Sequence, residues 1–306
     1  MAWRGVHICN PAGLSLRQSQ LVVRQDEDEV TIPIEDIAYV ILDTRQTTIT
    51  GSVFAALLNT GITILQSDEK HIPCGIALPF QVHWKQGEIP HLQAALTEPF
   101  KKRAWQAIVR QKIRNQSAVL STLETAKAEK KTVALKAMVA QVKSGDPANV
   151  EARAARAYWG ALFENFRRHD FDDRRNAALN YGYAVIRACL ARSLAASGLI
   201  PAFGLHHASV TNAFNLADDL IEPFRPFVDY MVLKRLGNTL SSDRELSKED
   251  RQTMAQAPFE TVIFDDESIS LLLATQRAAQ KLTASMRAGD PSMLSMPEFA
   301  VGQPFR

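Results

Sequence analysis

Several ionisable residues lie where the sequence is otherwise apolar, and their types are those that bind divalent cations. Glu151 is followed at helical spacing by Ala155, Tyr158 and Leu162, which places it on the face of a helix that packs inward. A carboxylate on such a face is costly unless it is paired or binds a metal. The alternative is that Glu151 only stabilises the amino terminus of its helix, where the helix dipole favours negative charge.

A second group of such residues follows further along the chain. His206 and His207 are adjacent, and a polar loop connects them to an acidic segment that contains Asp218, Asp219 and Glu222. The spacing places both aspartates in the same helical neighbourhood as Glu222. Each residue alone is also compatible with a bland interpretation, as a histidine satisfied inside a core or as part of a solvated acidic turn.

As a set, two glutamates, a histidine and nearby aspartates form an oxygen and nitrogen ligand group without sulfur. Such ligands suit Mg²⁺ or Mn²⁺ better than structural zinc, and the imidazole favours tolerance of Mn²⁺. A divalent ion held this way can neutralise a phosphate oxygen and lower the pKa of a hydroxyl nucleophile. The residues therefore predict phosphodiester chemistry, provided that the fold brings them together.

The charge distribution adds a candidate partner for this chemistry. The 306-residue chain has a net charge of +2, but residues 101–136 contain ten Lys or Arg and only two acids. A local balance of +8 is typical of a surface that contacts a polyanion. The alternative is a solvated helix face.

Composition excludes several classes of protein. With 46% hydrophobic and 22% charged residues, the chain is neither collagen-like nor mostly disordered. It has no apolar run of the ~18 residues that a membrane span needs, and its first residues do not resemble a secretory signal. Three scattered cysteines fit a reducing compartment. We therefore expect a cytoplasmic protein that does not interact with membranes.

The elements that would position these residues change in kind near residue 90. Segments rich in β-branched residues predict strands at residues 20–24, 30–34, 38–42 and 61–65, with one helix at 52–59. Amphipathic spacing then predicts helices at 100–123, 150–168 and 176–194, followed by a loop and tail after Pro258. The predicted fold is α+β, with a small amino-terminal β-rich domain (1–90) followed by a larger all-α catalytic domain (91–306).

Four ordered blocks of sequence carry a resemblance to a known family. They are NVEARAARAYW from Asn149, NYGY from Asn180, PAFGLHH from Pro201 and DDLIEPFRPFVD from Asp218. The series resembles the CRISPR-associated integrase of spacer acquisition, a metal-dependent DNA endonuclease and strand-transfer enzyme. The family has an amino-terminal β domain and a larger helical catalytic domain. The compact length and the Gly-Leu-His-His form look closest to members from type II loci.

The resemblance implies which residues act as metal ligands. The family's glutamate corresponds to Glu151. Its histidine closes a Pro-x-x-Gly-x-x-His pattern, which Pro201, Gly204 and His207 satisfy. Its second acid corresponds to Glu222. The resemblance thus implies that these three ligands hold Mg²⁺ or Mn²⁺ and form the catalytic site.

Asp219 and His206 are close in sequence to these implied ligands. Asp219 is a flanking acid next to the implied site. Many relatives have an apolar residue where His206 stands, so a role for His206 stays open. Some relatives have Asp at the position of Glu222, which changes little because either carboxylate can bind Mg²⁺ or Mn²⁺.

The resemblance also implies an activity and partners. The 3′-hydroxyl of a captured double-stranded DNA fragment would attack a phosphodiester at the edge of a CRISPR repeat, in a pair of homodimers bridged by a small partner protein. Basic residues would contact phosphates without reading sequence: Lys101, Lys102, Arg103, Arg110, Lys112, Arg114, Arg153, Arg156, Arg167 and Arg168. The alternatives are a non-catalytic architectural protein that binds DNA and, with less support, a metal hydrolase of small phosphorylated substrates.

Overall fold

The computed structural model describes residues 4–79, 87–168, 170, 172–237 and 245–300. In the first part, the strands are β1 (Arg4–Ile8), β2 (Ala12–Arg17), β3 (Gln20–Gln25), β4 (Asp28–Pro33), β5 (Ile37–Leu42), β6 (Thr47–Ile49), β7 (Thr63–Ser67) and β8 (Pro73–Ala77). Helix α1 (Gly51–Asn59) lies between β6 and β7. The predicted strands are all present, with ends shifted by a few residues.

These strands form two four-stranded sheets. The first has the order β1-β5-β7-β8, with β1, β5 and β7 parallel and β8 antiparallel. The second has the order β4-β3-β2-β6, in which β2, β3 and β4 form an antiparallel meander and β6 pairs parallel to β2. The first part of the chain is therefore β-rich, as predicted.

Strand β5 lies between two hydrophobic cores, and all six of its residues are buried. Val40 and Leu42 belong to the core that includes α1 and the second sheet, whereas Tyr39 and Ile41 belong to the core of the helical region. A strand that is buried on both faces is expected to be continuously apolar. The first sheet thus packs directly on the helices, and the domain boundary at residue 90 stays a prediction.

The second part of the chain is helical. Its helices are α2 (Glu88–Ala94), α3 (Glu98–Leu120), α4 (Ala126–Gln141), α5 (Val150–Leu162), α6 (Arg174–Ala196), α7 (Asn215–Leu220), α8 (Arg225–Leu236), α9 (Lys248–Ala255) and α10 (Leu271–Ala288). Between α9 and α10 lies a hairpin of β9 (Thr261–Phe264) and β10 (Glu267–Ser270). Helix α6 packs against α8, α9 and α10. In the described ranges, no helix combines the length and the apolar character that crossing a bilayer requires.

Two of the predicted elements differ from the structure. Helix α5 ends at Leu162 rather than near residue 168, because Phe163 is extended and Asn165 has a φ of 49°. The predicted loop after Pro258 contains α10, which Ser270 caps and which ends at Gly289 with a φ of 65°. Both end signals are typical of a helix, and Pro258, Gly289 and Pro291 lie outside α10, so they do not interrupt it.

A buried carboxyl group lies between α6 and α8. Asp229 on α8 is 1% exposed, and the Tyr183 hydroxyl on α6 donates a hydrogen bond to its Oδ1. Burial raises the pKa of Asp229 from its ordinary value of 3.8 to about 7, although the hydrogen bond from Tyr183 acts in the opposite direction. At a pH between 3.8 and about 7, the carboxyl group of Asp229 is therefore protonated in the folded protein and ionised in the unfolded chain.

Glycine 182 marks the closest approach of α6 to α8. A Cβ at Gly182 would lie 2.5 Å from Val228 Cγ1, whereas a Cβ at Gly160 on α5 would have no atom within 4 Å. We expect Gly182→Ala to lower the free energy of unfolding by about 1–3 kcal/mol through overpacking. Gly160→Ala, the matched control, should raise it by about 0.5–1 kcal/mol. Equal effects in urea unfolding would contradict this packing.

The protonation of Asp229 predicts a pH dependence. The pKa of Asp229 is raised to about 7 in the folded protein. The protonated carboxyl group therefore adds to the free energy of unfolding at low pH, and this contribution is lost as the pH rises through about 7. Asp229→Asn keeps an acceptor for Tyr183 without this titration. Between about pH 5 and pH 8, wild-type protein should lose on the order of 2 kcal/mol of unfolding free energy relative to the variant.

Urea unfolding in chelator at several pH values measures this difference. A constant difference between the two proteins across the range would show that Asp229 does not titrate there.

Candidate active site

The loop before α5 fixes the position of Glu151. Asp146 and Asn149 have φ values of 48° and 46°, a conformation that Asp and Asn tolerate better than most residues. Asp146 accepts hydrogen bonds from the backbone N–H groups of Val150 and Glu151, both at 2.9 Å, and Asn149 accepts one from Ala152. These side chains satisfy the amino terminus of the helix, so the carboxylate of Glu151 is free for another partner.

That partner is Lys112 on α3. Its Nζ lies 2.6 Å from Glu151 Oε1 and 2.5 Å from Glu222 Oε2. Lys112 is buried. Burial would lower its pKa, but the two carboxylates outweigh burial and raise it. Two predicted metal ligands therefore converge on a single positive charge.

Glu222 follows α7 in a turn and is 7% exposed. Its other oxygen accepts a hydrogen bond of 2.9 Å from Arg225 Nε. Burial would raise the pKa of Glu222, but the charges of Arg225 and Lys112 lower it to about 2. The carboxylate is therefore ionised at every pH at which the protein would act.

The loop that carries His207 is organised around Asp219. This carboxylate is fully buried and accepts hydrogen bonds from the backbone N–H groups of Leu205, His206 and His207 at 2.6, 3.0 and 3.0 Å. It also lies 2.6 Å from Nδ1 of the His207 ring. With Nδ1 engaged, Nε2 is the ring nitrogen left for a metal or a substrate.

Electrostatics relate His207 to the carboxylates. The hydrogen bond to Asp219 raises the pKa of His207 most strongly, burial opposes it, and the charge of Glu222 adds to the increase. Its side chain is 44% exposed. His207 thus lies within the field of Glu222 and remains open to solvent.

Gly204 permits the tight loop. A Cβ at Gly204 would lie 2.2 Å from the carbonyl oxygen of His207 and 2.9 Å from Asp219 Oδ2. His206 is directed elsewhere, since its ring stacks on Trp105 of α3 with the centroids 4.2 Å apart. The His207 ring meets the same indole edge-on at 5.8 Å. The geometry therefore gives His206 a packing contact and gives His207 the position beside the carboxylates.

The donor set fits a divalent ion in its chemistry, and part of it is already assembled. The oxygens of Glu151 and Glu222 surround one ammonium group, while the imidazole stands on the neighbouring loop. In the ranges that the structure describes, the ligand atoms of Glu151, His207 and Glu222 do not all come within 4.8 Å of one another. Binding one ion through all three would require their ligand atoms to come closer together and Lys112 Nζ to move from between the two carboxylates.

Another group of ligand-type side chains lies in the first sheet. Atoms of His7, Cys9 and Asp43 lie within 4.8 Å of one another. Asp43 is fully buried, and its Oδ2 accepts a hydrogen bond of 2.7 Å from Arg251 Nε on α9. A guanidinium this close opposes the binding of a cation. This cluster is better explained as a polar link between the sheet and α9.

A small cavity adjoins the carboxylates. Its volume is about 180 Å³, and it is lined by Lys112, Gln116, Ala155, Trp159, Arg168, Tyr183, Glu222, Arg225 and Asp229. The guanidiniums of Arg225 and Arg168 lie 4.5 and 5.4 Å from the centroid of the Tyr183 ring. Three cationic side chains and aromatic walls suit a phosphate with an attached nucleoside.

The predicted DNA contacts occupy different environments. Exposed residues are Lys102, Arg103, Arg114, Arg153, Arg156 and Arg167, and partly buried residues are Lys101, Arg110 and Arg168. Arg110 donates to the carbonyl of Val142 at 2.9 Å. Lys112 differs from all of them, because it is buried in the ion-pair cluster instead of facing solvent. Its place seven residues after Trp105, on the apolar stripe of α3, was the signal that could have revealed this.

Comparison with known proteins agrees with the fold and the motifs. The family described as CRISPR associated protein Cas1 matches residues 6–267. Over 299 residues the chain is 40% identical to the CRISPR-associated endonuclease Cas1 of Neisseria meningitidis serogroup C (strain 8013), an alignment that covers 97% of both proteins.

Two solved structures share the fold at low identity. A casposase bound to an integration product matches with a TM-score of 0.76 and 17% identity, over 100% of this chain and 96% of that one. A Cas6-RT-Cas1–Cas2 complex matches with a TM-score of 0.73 and 19% identity, over 99% of this chain and 36% of that longer one. Because the family match spans most of the sequence and a relative is 40% identical over nearly its whole length, this chain belongs to the Cas1 family of CRISPR-associated proteins.

Proposed function

We propose that this Cas1 protein is a divalent-metal-dependent DNA endonuclease and integrase. In this proposal it inserts captured DNA fragments into a CRISPR repeat array by attack of a fragment's 3′-hydroxyl on a phosphodiester. The convergence of Glu151 and Glu222 on one cation, near His207 and beside a cavity lined by Arg168 and Arg225, carries the proposal. The casposase that shares the fold is bound to an integration product, which supports strand transfer.

Glu151, His207 and Glu222 are the residues that would hold Mg²⁺ or Mn²⁺. When bound, such an ion stabilises negative charge on the attacked phosphate and favours the ionised hydroxyl. Asp219 orients the His207 ring through Nδ1. The carboxylate of Glu222 is already ionised before a cation binds, because the charges of Arg225 and Lys112 lower its pKa to about 2.

The cavity residues have a separate task in this proposal. Arg168, Arg225 and Gln116 line the space beside Glu222, where they would hold the phosphate that is attacked. The face of Trp159 would contact the adjoining nucleoside. Positioning the phosphate and the hydroxyl in line would then provide much of the rate enhancement.

Further DNA contacts and the assembly follow from the same proposal. Exposed arginines on α5, the helix that carries Glu151, would contact phosphates near the site. A neighbour in fold is part of a complex with Cas2, which supports a working unit of Cas1 homodimers bridged by a Cas2-like partner. Membership of the type II subgroup stays a prediction.

The ligand assignment predicts the effect of three substitutions. Glu151→Gln, His207→Ala and Glu222→Gln should each reduce strand transfer on the order of 100-fold or more, as expected when an active site loses a charge-stabilising group. DNA affinity should change little, because most of it comes from basic residues elsewhere. Glu267→Ala, which removes an exposed carboxylate paired with Arg277, is the matched control.

Joining of a pre-cut fragment to repeat DNA, with and without chelator, measures this effect, and filter binding measures affinity. Full activity of Glu151→Gln or His207→Ala with added Mn²⁺ would refute the assignment. Wild-type protein that binds branched DNA without cutting or joining it would instead favour an architectural protein whose ion-pair cluster is inert.

The exposed arginines of α5 predict a salt dependence. Each lost phosphate contact reduces the slope of log K against log salt by about 0.9, so replacing both Arg153 and Arg156 by Gln should reduce it by about 2. Strand transfer at saturating DNA should persist, because the metal ligands remain. Arg45→Gln, an exposed arginine paired with Glu69 in the first part of the chain, is the control. An unchanged slope in the double variant would place the DNA elsewhere.

A further inference from the structure

Lys112 occupies a position that no other basic residue of α3 shares. It is 8% exposed, and its ammonium bridges Glu151 and Glu222, which approach it from α5 and from the turn after α7. Three separate elements therefore meet at one nitrogen. A lysine that only served DNA binding would not need this burial.

The charges of the cluster explain why a cation is needed there. Two carboxylate groups that approach the same buried nitrogen repel each other when no cation lies between them. With Lys112 and Arg225 present, the two negative charges are balanced by two positive ones. The formal charges of these four side chains therefore sum to zero.

Adding a divalent ion to this neutral cluster would leave two excess positive charges in a buried site. The same carboxylate oxygens cannot serve the ammonium and the metal at full strength. Lys112 has a route out, since its side chain also lines the cavity beside Glu222. Its flexible four-carbon stem allows the ammonium to move while the backbone of α3 stays in place.

We propose that Lys112 is a positioning residue for the metal site, which acts as a resident counter-ion. It holds Glu151 and Glu222 together in the metal-free protein and withdraws into the adjoining cavity when a divalent ion binds. This inference rests on the proposed function for the two carboxylates and adds a competitor that sets the affinity for the ion.

Metal affinity tests the competition directly. Lys112→Met removes the charge and keeps most of the stem, so Mn²⁺ should bind on the order of tenfold more tightly in isothermal titration calorimetry. Without metal, this variant should unfold at a lower temperature than wild type, and Mn²⁺ should raise its unfolding temperature by more. Equal or weaker binding of Mn²⁺ by Lys112→Met would overturn the inference.

Lys281→Met is the matched control. Lys281 Nζ lies 2.7 Å from Asp265 Oδ2, so this variant also breaks a lysine–carboxylate pair, but away from the site. It should bind Mn²⁺ as wild type does.

Wild-type protein provides a second measurement that does not depend on a variant that folds. Acetylation of Lys112, followed by mass spectrometry, should be slow without metal and several-fold faster with Mn²⁺, because the ammonium leaves its carboxylate partners. Acetylation of Lys281 in the same sample should be unaffected. The same rate at Lys112 with and without Mn²⁺ would show that it does not move.

Glu151→Gln and Glu222→Gln separate this inference from the proposed function. If both still bind Mn²⁺ as wild type does, the carboxylates are not metal ligands and both proposals fail. If both lose Mn²⁺ binding while Lys112→Met binds no more tightly than wild type, the metal site stands and only the role of Lys112 fails.

Discussion

Two carboxylates that approach each other inside a protein require a cation between them, and Lys112 supplies that cation to Glu151 and Glu222. Glu151 and Glu222 come from elements far apart in sequence, and both approach the ammonium group of Lys112 on α3. Without that cation, the two carboxylates would repel each other. Burial alone would raise the pKa of Glu222, and the charges of Arg225 and Lys112 lower it and keep this carboxylate ionised.

The loop that carries His207 is held by a buried carboxylate and not by a cation. Asp219 accepts hydrogen bonds from three backbone N–H groups and contacts the Nδ1 atom of His207, so it fixes both the loop and the orientation of the ring. The loop packs closely at Gly204 because its backbone turns around Asp219. Asp219 lies three residues before Glu222, so the segment that fixes the loop also brings Glu222 to Lys112. The His207 side chain stays 44% exposed.

Much of this could be predicted from the sequence, and the omissions have a common cause. Local signals are sufficient for the strands, for the Asn149 cap and for the α+β order, because each depends on neighbouring residues. Helix α10 has equally local signals at Ser270 and Gly289. The prolines and glycine around it instead predict a loop. The pairing of Lys112 could not be derived in this way, because its partners are brought to it only by tertiary packing.

Lys112 also shows why a count of charges overestimates a binding surface. It belongs to the basic segment at 101–136, yet its ammonium group is buried in an ion pair with Glu151. Arg110 of the same segment donates a hydrogen bond to the carbonyl of Val142. Lys102, Arg103 and Arg114 lie on the exposed face of the same helix. Because one helix presents different faces, it places a cation between the carboxylates on its inner side and presents positive charge to solvent on its outer side. Neutralising the whole segment would therefore remove the counter-ion together with the exposed charges, and only face-specific substitutions can separate the two effects.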